Sequence, residues 1–452
     1  MKQTARWLAL CVIAASFACI APVAHGTTPG ACAVDARASL NALEHGDFSA
    51  ARANFSASTA NELPAAKIKQ AWQSVQQMFG AYRGHGEPHA QLLHGRPVVV
   101  TRLALANGPL DFVVGCDASH RIMLFAFLKP SVVEARKPEP VKAHVLADGV
   151  RVKPLSVPSP AGLLRGALTL PGGKGPFPAV VLIWGSGDAD MDETVGPDKP
   201  FRDLARGLAE AGVASLRFDK RTYDYPQKAA AKMDFTVDDE ETDDALAAAH
   251  LIAKQPGIAP DRVFVLGHSE GAMLAPRIAR GDPGLAGIIM MAAPARPLLD
   301  VLAEQIRGKG KRTGVPEATI AKQEKALRAE QALLANADPK HPPKGRFMFA
   351  PQSWWLSLHD YHQLAVAKSL SLPILILQGG NDLQVSPARD FGAWKKALAG
   401  KANVTFRLYP GLSHLFMPGP TKSAADYGKP CHLDSRVIRD VAGWIKDQPP
   451  AK

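Results

Sequence analysis

Residues Val263 to Ala272 read VFVLGHSEGA, an apolar run that ends in Gly-His-Ser-Glu-Gly and passes into the alanine-rich segment Ala272 to Arg280. Val263, Val265 and Leu266 have the character of a buried strand, and the segment after them that of a helix. A strand that becomes a helix over so few residues needs a very tight turn. A serine at its apex sits in strained backbone, tolerable only if the residues two positions away lack side chains. Gly267 and Gly271 meet that need. The stretch is a G-x-S-x-G nucleophile elbow in the strand–turn–helix context that gives the motif its meaning, and Ser269 is the candidate nucleophile.

A serine hydroxyl is a poor nucleophile until an imidazole takes its proton, and a carboxylate must hold that imidazole in the right tautomer. Both partners are expected downstream, each on a loop after a later strand. LPILILQGGNDLQVSP delivers Asp382, and VTFRLYPGLSHLF delivers His414 after a turn at Pro410-Gly411. The order Ser269, Asp382, His414 is the one α/β-hydrolases use. A rival cluster, His359, Asp360 and His362, lies in an insertion with no strand to place it at the sheet edge. His268 adjoins the serine but is expected to point away from it. An oxyanion needs two backbone N–H donors, each worth on the order of 3 kcal/mol. The candidates are Glu270, directly after the nucleophile, and Ser186, in the Trp184-Gly185-Ser186-Gly187 turn that follows AVVLIWG.

The rest of the chain organises around this motif. From residue 148 to 452, apolar strand candidates alternate with helical stretches, which indicates a mainly parallel sheet covered on both faces. About seventy residues interrupt the rhythm between MMAAPA and LPILILQGG. This insertion, about 297–368, is expected to form a helical cap, with Glu324 and Arg328 on a solvated helix face. Trp354 and Trp355 lie late in it as candidates for lining the pocket, with cap-to-body packing the equal alternative. Residues 27–132 differ: two or three helices precede three hairpin-joined strands, giving a small α+β domain. His85, His89 and His94 there are read as solvated loop histidines. A Pro- and charge-rich linker, 133–147, joins the two parts.

Residues 1–26 carry Lys2 and Arg6, a 15-residue apolar stretch from Trp7 to Ala21, and a small-residue site ending at Gly26. This is the pattern of a cleaved secretory signal peptide, too short to span a bilayer, and it places the mature protein in the periplasm or outside the cell. Three cysteines then remain. Cys32 with Cys116 is the expected disulfide and Cys431 the free thiol, although spacing alone leaves the connectivity open. There is no CxxC pair, no metal-ligand spacing and no cofactor motif. The charge of +11 is spread along the chain without a basic block, which argues against nucleic-acid binding.

GSGDADMDET, FDKRT, GHSEG, QGGNDLQV and YPGLSHLF resemble successive motifs of bacterial α/β-hydrolase serine esterases that carry a small N-terminal domain of the DUF3887 type. That domain is matched at pattern level by LEHGDFSAARANF and DASHRIMLFAF. The resemblance implies an α/β-hydrolase fold behind a cystatin-like or NTF2-like domain. It also implies hydrolysis of small-molecule carboxylic esters, short acyl esters being expected, through an acyl-enzyme without a cofactor. The departures from the family pattern are Asp188 and the Thr222-Tyr223-Asp224 run after Arg221; Arg221 itself is read as a structural ion-pairing residue. A serine aminopeptidase or acyl thioesterase shares the elbow, and a non-catalytic binding protein is the reading from another class.

Overall fold

The computed structural model describes residues 29–93, 96–128, 140–313, 315–338, 341–348, 350–418 and 430–451. The expected signal peptide and residues 133–139 of the expected linker lie outside these residues. The chain divides into two compact units, residues 1–138 and 139–452.

In the first unit the helix Pro29–Glu44 places Ala36, Leu40 and Leu43 on one face, spaced for a 3.6-residue repeat, and buries them against Phe112, Val114 and Phe125 of a sheet. The sheet is antiparallel: Arg96–Leu105 pairs with Gly108–Cys116, which pairs with Ile122–Leu128. Two further strands, Tyr82–His85 and His89–Leu93, pair along Arg96–Leu105. His85 and His89 are therefore strand residues, which corrects the loop reading; their strands, YRGH and HAQLL, are only 4 and 5 residues long and neither alternates apolar with polar positions over its length. His94 lies outside the described residues. A disulfide between Cys32 and Cys116 joins the helix to the sheet, and Cys431, in the second unit, is free.

In the second unit a nine-stranded sheet forms the core. From one edge its strands are Val404–Tyr409, Ile374–Gly379, Gly287–Met291, Ile258–His268, Phe177–Ile183 and Ala214–Phe218, all parallel. Gly166–Leu170, Arg151–Pro154 and His144–Val145 then continue it antiparallel. The inner strands are continuous apolar runs because both their faces are buried: Ala179 to Ile183 and Phe264 to Leu266 have no measurable exposure. The two parallel strands that follow Phe177–Ile183 in sequence, Ala214–Phe218 and Ile258–His268, lie on opposite sides of it, so the connection direction reverses there. The crevice outside the carboxyl ends of strands at such a reversal is where open α/β sheets bind ligands. Ser269 leaves one of these two strands at that end.

Between Met291 and Ile374 the insertion folds as the helices Leu298–Thr313, Glu317–Ala335, Gln352–His359 and Gln363–Ser369 around their own apolar cluster. Glu324 is not on a solvated face. It is buried and takes two hydrogen bonds from Arg307 of the neighbouring helix, with Arg328 only 3.8 Å away. Arg328 is exposed as expected, and the correction concerns Glu324 alone, which the cross-helix Arg307 draws inward.

Candidate active site

Ser269 has φ 54° and ψ −113°, a region that non-glycine residues enter only when the surroundings impose it. The surroundings are visible. Its N–H donates to the Met291 carbonyl (2.9 Å), and the N–H of Gly271 donates to that of Trp184 (2.9 Å). Glycine is required on both sides: a Cβ on Gly267 would lie 2.2 Å from the Gly271 carbonyl, and one on Gly271 would lie 2.4 Å from the Trp184 oxygen. The strand end, the turn and the first turn of the helix Glu270–Gly281 thus interlock through backbone alone.

Asp382 and His414 come from the two loops that follow the adjacent parallel strands Ile374–Gly379 and Val404–Tyr409. His414 Nδ1 contacts Asp382 Oδ2 at 2.7 Å, with both side chains buried. The other carboxylate oxygen accepts the N–H groups of Gln384 (2.7 Å) and Val385 (2.9 Å), and the Gln378 amide donates to Oδ2 (3.0 Å). The carboxylate is thus held in one orientation. Gly379 and Gly380 explain the QGG pattern: a Cβ on either would meet Ser413 or Pro410 backbone within 2.6 Å. The loops can approach only because those side chains are absent. Asp360, His359 and His362 are exposed at the end of a cap helix, away from this arrangement.

The turn after Phe177–Ile183 lies against the nucleophile, since a Cβ on Gly185 would stand 3.1 Å from that of Ser269. Charged side chains hold this peptide at both ends. Gly185 donates its N–H to Glu193 Oε1 (2.8 Å), and its carbonyl accepts from Lys220 Nζ (3.2 Å). Ser186 Oγ donates to Glu270 Oε2 (2.7 Å), tying the loop to the residue after the nucleophile. Among the described residues no protein group accepts the backbone N–H of Ser186 or Glu270. That leaves both donors available, as an oxyanion site requires.

Beneath the turn, Lys220 is fully buried with Glu240, Glu241 and Glu270 at 3.3, 3.2 and 3.5 Å. Burial opposes the ammonium charge, but the three carboxyls outweigh it and hold the lysine well above its ordinary pKa. Burial pushes Glu240 and Glu241 up, with Lys220 opposing. This cluster, together with Glu193 and Gln378, was missed in sequence, where each residue looked like an ordinary surface polar group. Arg221 is structural as expected, with a bidentate contact to Asp244 (2.7 and 2.6 Å).

Trp354 and Trp355 do not line a pocket. They are 0 % and 2 % exposed, so no water-sized space touches Trp354, and they pack edge-to-face at 4.8 Å. Trp354 Nε1 donates to Glu240 Oε2, and Trp355 Nε1 donates to the Phe347 carbonyl (2.9 Å). The pair fastens the cap to the body; large aromatic area and a polar ring edge are both accommodated by burial.

A mainly parallel sheet, a serine elbow at its topological reversal and a helical cap define an α/β-hydrolase. A family model described as serine aminopeptidase, S33, matches residues 199–419. Esterase EstD of Thermotoga maritima is 35% identical over 350 residues, covering 76% of this chain and 78% of its own. Solved structures with weaker likeness include an esterase of Pyrococcus furiosus (16% identity, TM-score 0.42, 69% of this chain and 97% of that one). Another is a proline iminopeptidase of Mycobacterium smegmatis (18% identity, TM-score 0.43, 65% and 98%). The chain belongs to the α/β-hydrolase esterases, the family of EstD, and is a carboxylic-ester hydrolase acting on small molecules.

Proposed function

We propose that the protein is exported and cleaves short-chain acyl esters through an acyl-enzyme on Ser269. The observation that carries the mechanism is the buried Asp382–His414 contact on loops beside the elbow. In this reading His414, its Nδ1–H directed at Asp382, takes the Ser269 proton as the hydroxyl attacks the ester carbonyl. The oxyanion is met by the N–H groups of Ser186 and Glu270. His414 then protonates the departing alcohol, and water repeats the sequence to release the acid. The elbow at the start of the helix adds the favourable end of its dipole at Glu270. The short-chain preference is supported by the polar rim, where Ser186 and Asp188 are exposed beside the oxyanion loop rather than apolar groups suited to a lipid tail. Export is supported by the first 26 residues, and the N-terminal unit is read as a DUF3887-type domain.

The test is a fluorophosphonate probe followed by peptide mapping, with kcat/KM for p-nitrophenyl esters of increasing length, thioesters and aminoacyl amides. Labelling at Ser269 with a maximum between acetyl and hexanoyl is expected. Because a hydrophobic pocket discriminates about 1–3 kcal/mol per methylene, the fall-off should be graded. Labelling elsewhere, or faster turnover of aminoacyl amides than esters, overturns this reading.

A further inference from the structure

We infer that Glu193 and His268 form a buried positioning pair that sets the oxyanion loop and the catalytic histidine in register with each other. This rests on the triad reading above. Glu193 Oε1 accepts two N–H groups, from Gly185 (2.8 Å) and from His268 Nδ1 (2.7 Å). The other ring nitrogen, His268 Nε2, lies 2.9 Å from the His414 carbonyl oxygen. A chain of three hydrogen bonds therefore runs from the peptide beside the oxyanion site to the backbone of the base. It passes behind the nucleophile and through the residue next to it. The rings of His268 and His414 stand 4.7 Å apart, and Glu193 and His268 are 7 % and 4 % exposed.

The chemistry of the acceptors defines the state of the ring. A carbonyl oxygen only accepts, so Nε2 carries a hydrogen, and Nδ1 faces a carboxylate. The pair holds an imidazolium against a carboxylate. Burial opposes that charge, and Glu193, its hydrogen bond and the His414 carbonyl outweigh it, so His268 keeps its proton above the ordinary histidine range. The charged or titratable groups facing the ring are Glu193, Asp382 and His414. Glu193 itself has φ 51° and is pinned by its N–H donating to the Asp190 carbonyl (2.9 Å). Backbone held this way at a site is maintained by its surroundings. Both ring nitrogens of His268 are committed to Glu193 and the His414 carbonyl; what the turn gains is a strut between two loops that share no sequence neighbourhood. Neither side chain is placed in contact with the substrate, so the pair acts through Gly185 and His414.

The experiment uses the full chain carrying Glu193→Gln or His268→Gln, with kcat and KM for p-nitrophenyl acetate measured from pH 5 to 10. Fluorophosphonate labelling of the wild type is run in parallel. A misplacement of about 1 Å costs on the order of 100-fold in rate, so kcat is expected to fall roughly 10- to 100-fold with KM within about twofold. Glu193→Gln keeps the acceptor and removes the charge, so the alkaline fall in kcat should move to lower pH; His268→Gln should remove that limb. If neither glutamine variant folds, Glu193→Asp decides, because retained charge must leave the alkaline limb where the wild type has it. Wild-type labelling at Ser269 with unchanged kcat and pH profile in both variants overturns the pair alone. No wild-type labelling at Ser269 overturns the triad reading and this inference with it.

Discussion

His414 Nδ1 lies 2.7 Å from Asp382 Oδ2, and that carboxylate's other oxygen is occupied by two backbone N–H groups. Asp382 thus has one oxygen for the imidazole and no freedom to turn. In Asp382→Asn the loop N–H groups keep the side-chain carbonyl oxygen, so the amide nitrogen faces the ring and selects the wrong tautomer. We expect kcat to fall roughly 10⁴-fold with little change in KM. Steady-state kinetics on p-nitrophenyl acetate checks this, and a loss below tenfold would remove Asp382 from the role.

Gly267→Ala and Gly271→Ala should each destabilise the second unit by at least about 3 kcal/mol, as overpacking against an immobile neighbour does at its upper range. The added methyl meets backbone at 2.2 or 2.4 Å, and backbone on both sides of the turn cannot yield. Ser269→Ala, by contrast, should unfold at nearly the wild-type urea concentration while losing esterase activity. Equal midpoints for all three variants would mean that the elbow is looser than described.

Glu241 is fully buried, and burial raises its pKa well above the ordinary carboxyl value, with Lys220 opposing. The folded state therefore retains a proton that the unfolded chain releases. The sign follows: this contribution to stability is fully present below the ordinary glutamate pKa and is lost as pH rises toward the folded value. Glu241→Gln, which stays neutral, should show a flatter decline of unfolding free energy with rising pH than the wild type. Urea denaturation at pH 4, 6 and 8 measures it; parallel curves would count against a protonated Glu241.

Trp354→Phe removes the donor that reaches Glu240 and leaves a buried acceptor short of a partner, a loss of about 1–3 kcal/mol. Since Trp354 touches no open space, the order of preference among acyl chain lengths should not move. Thermal unfolding and the ester series together test the packing role. A shift of the optimum by two or more carbons would restore Trp354 to the pocket.

The sheet and the elbow were legible because their causes are local. Phe177 to Ile183 and Ile374 to Leu377 are apolar throughout, as strands buried on both faces must be, and two glycines flank one serine at the only spacing that clears the turn. Asp382 and His414 could be chosen from among other acids and histidines because each follows a strand, Ile374–Gly379 for one and the edge strand Val404–Tyr409 for the other, whereas Asp360 follows a helix. Cysteine spacing alone leaves the pairing open, and the helix–sheet packing of the first unit brings Cys32 to Cys116.

Tertiary structure alone decided the charged groups around the site. Lys220, Glu240 and Glu241 have no periodicity that separates them from surface residues, and they meet Glu270 only when strands Ala214–Phe218 and Ile258–His268 flank Phe177–Ile183. The same holds for Glu193, whose partners Gly185 and His268 lie 8 and 75 residues away. The tryptophans carry the same lesson from the other side: an aromatic pair has one appearance in sequence whether it faces a cavity or a neighbouring helix. Local sequence determines which backbone turns are possible, because steric limits act between adjacent residues. Which buried charges face one another depends on chain segments far apart in sequence, and only their packing brings an ammonium within reach of three carboxyls.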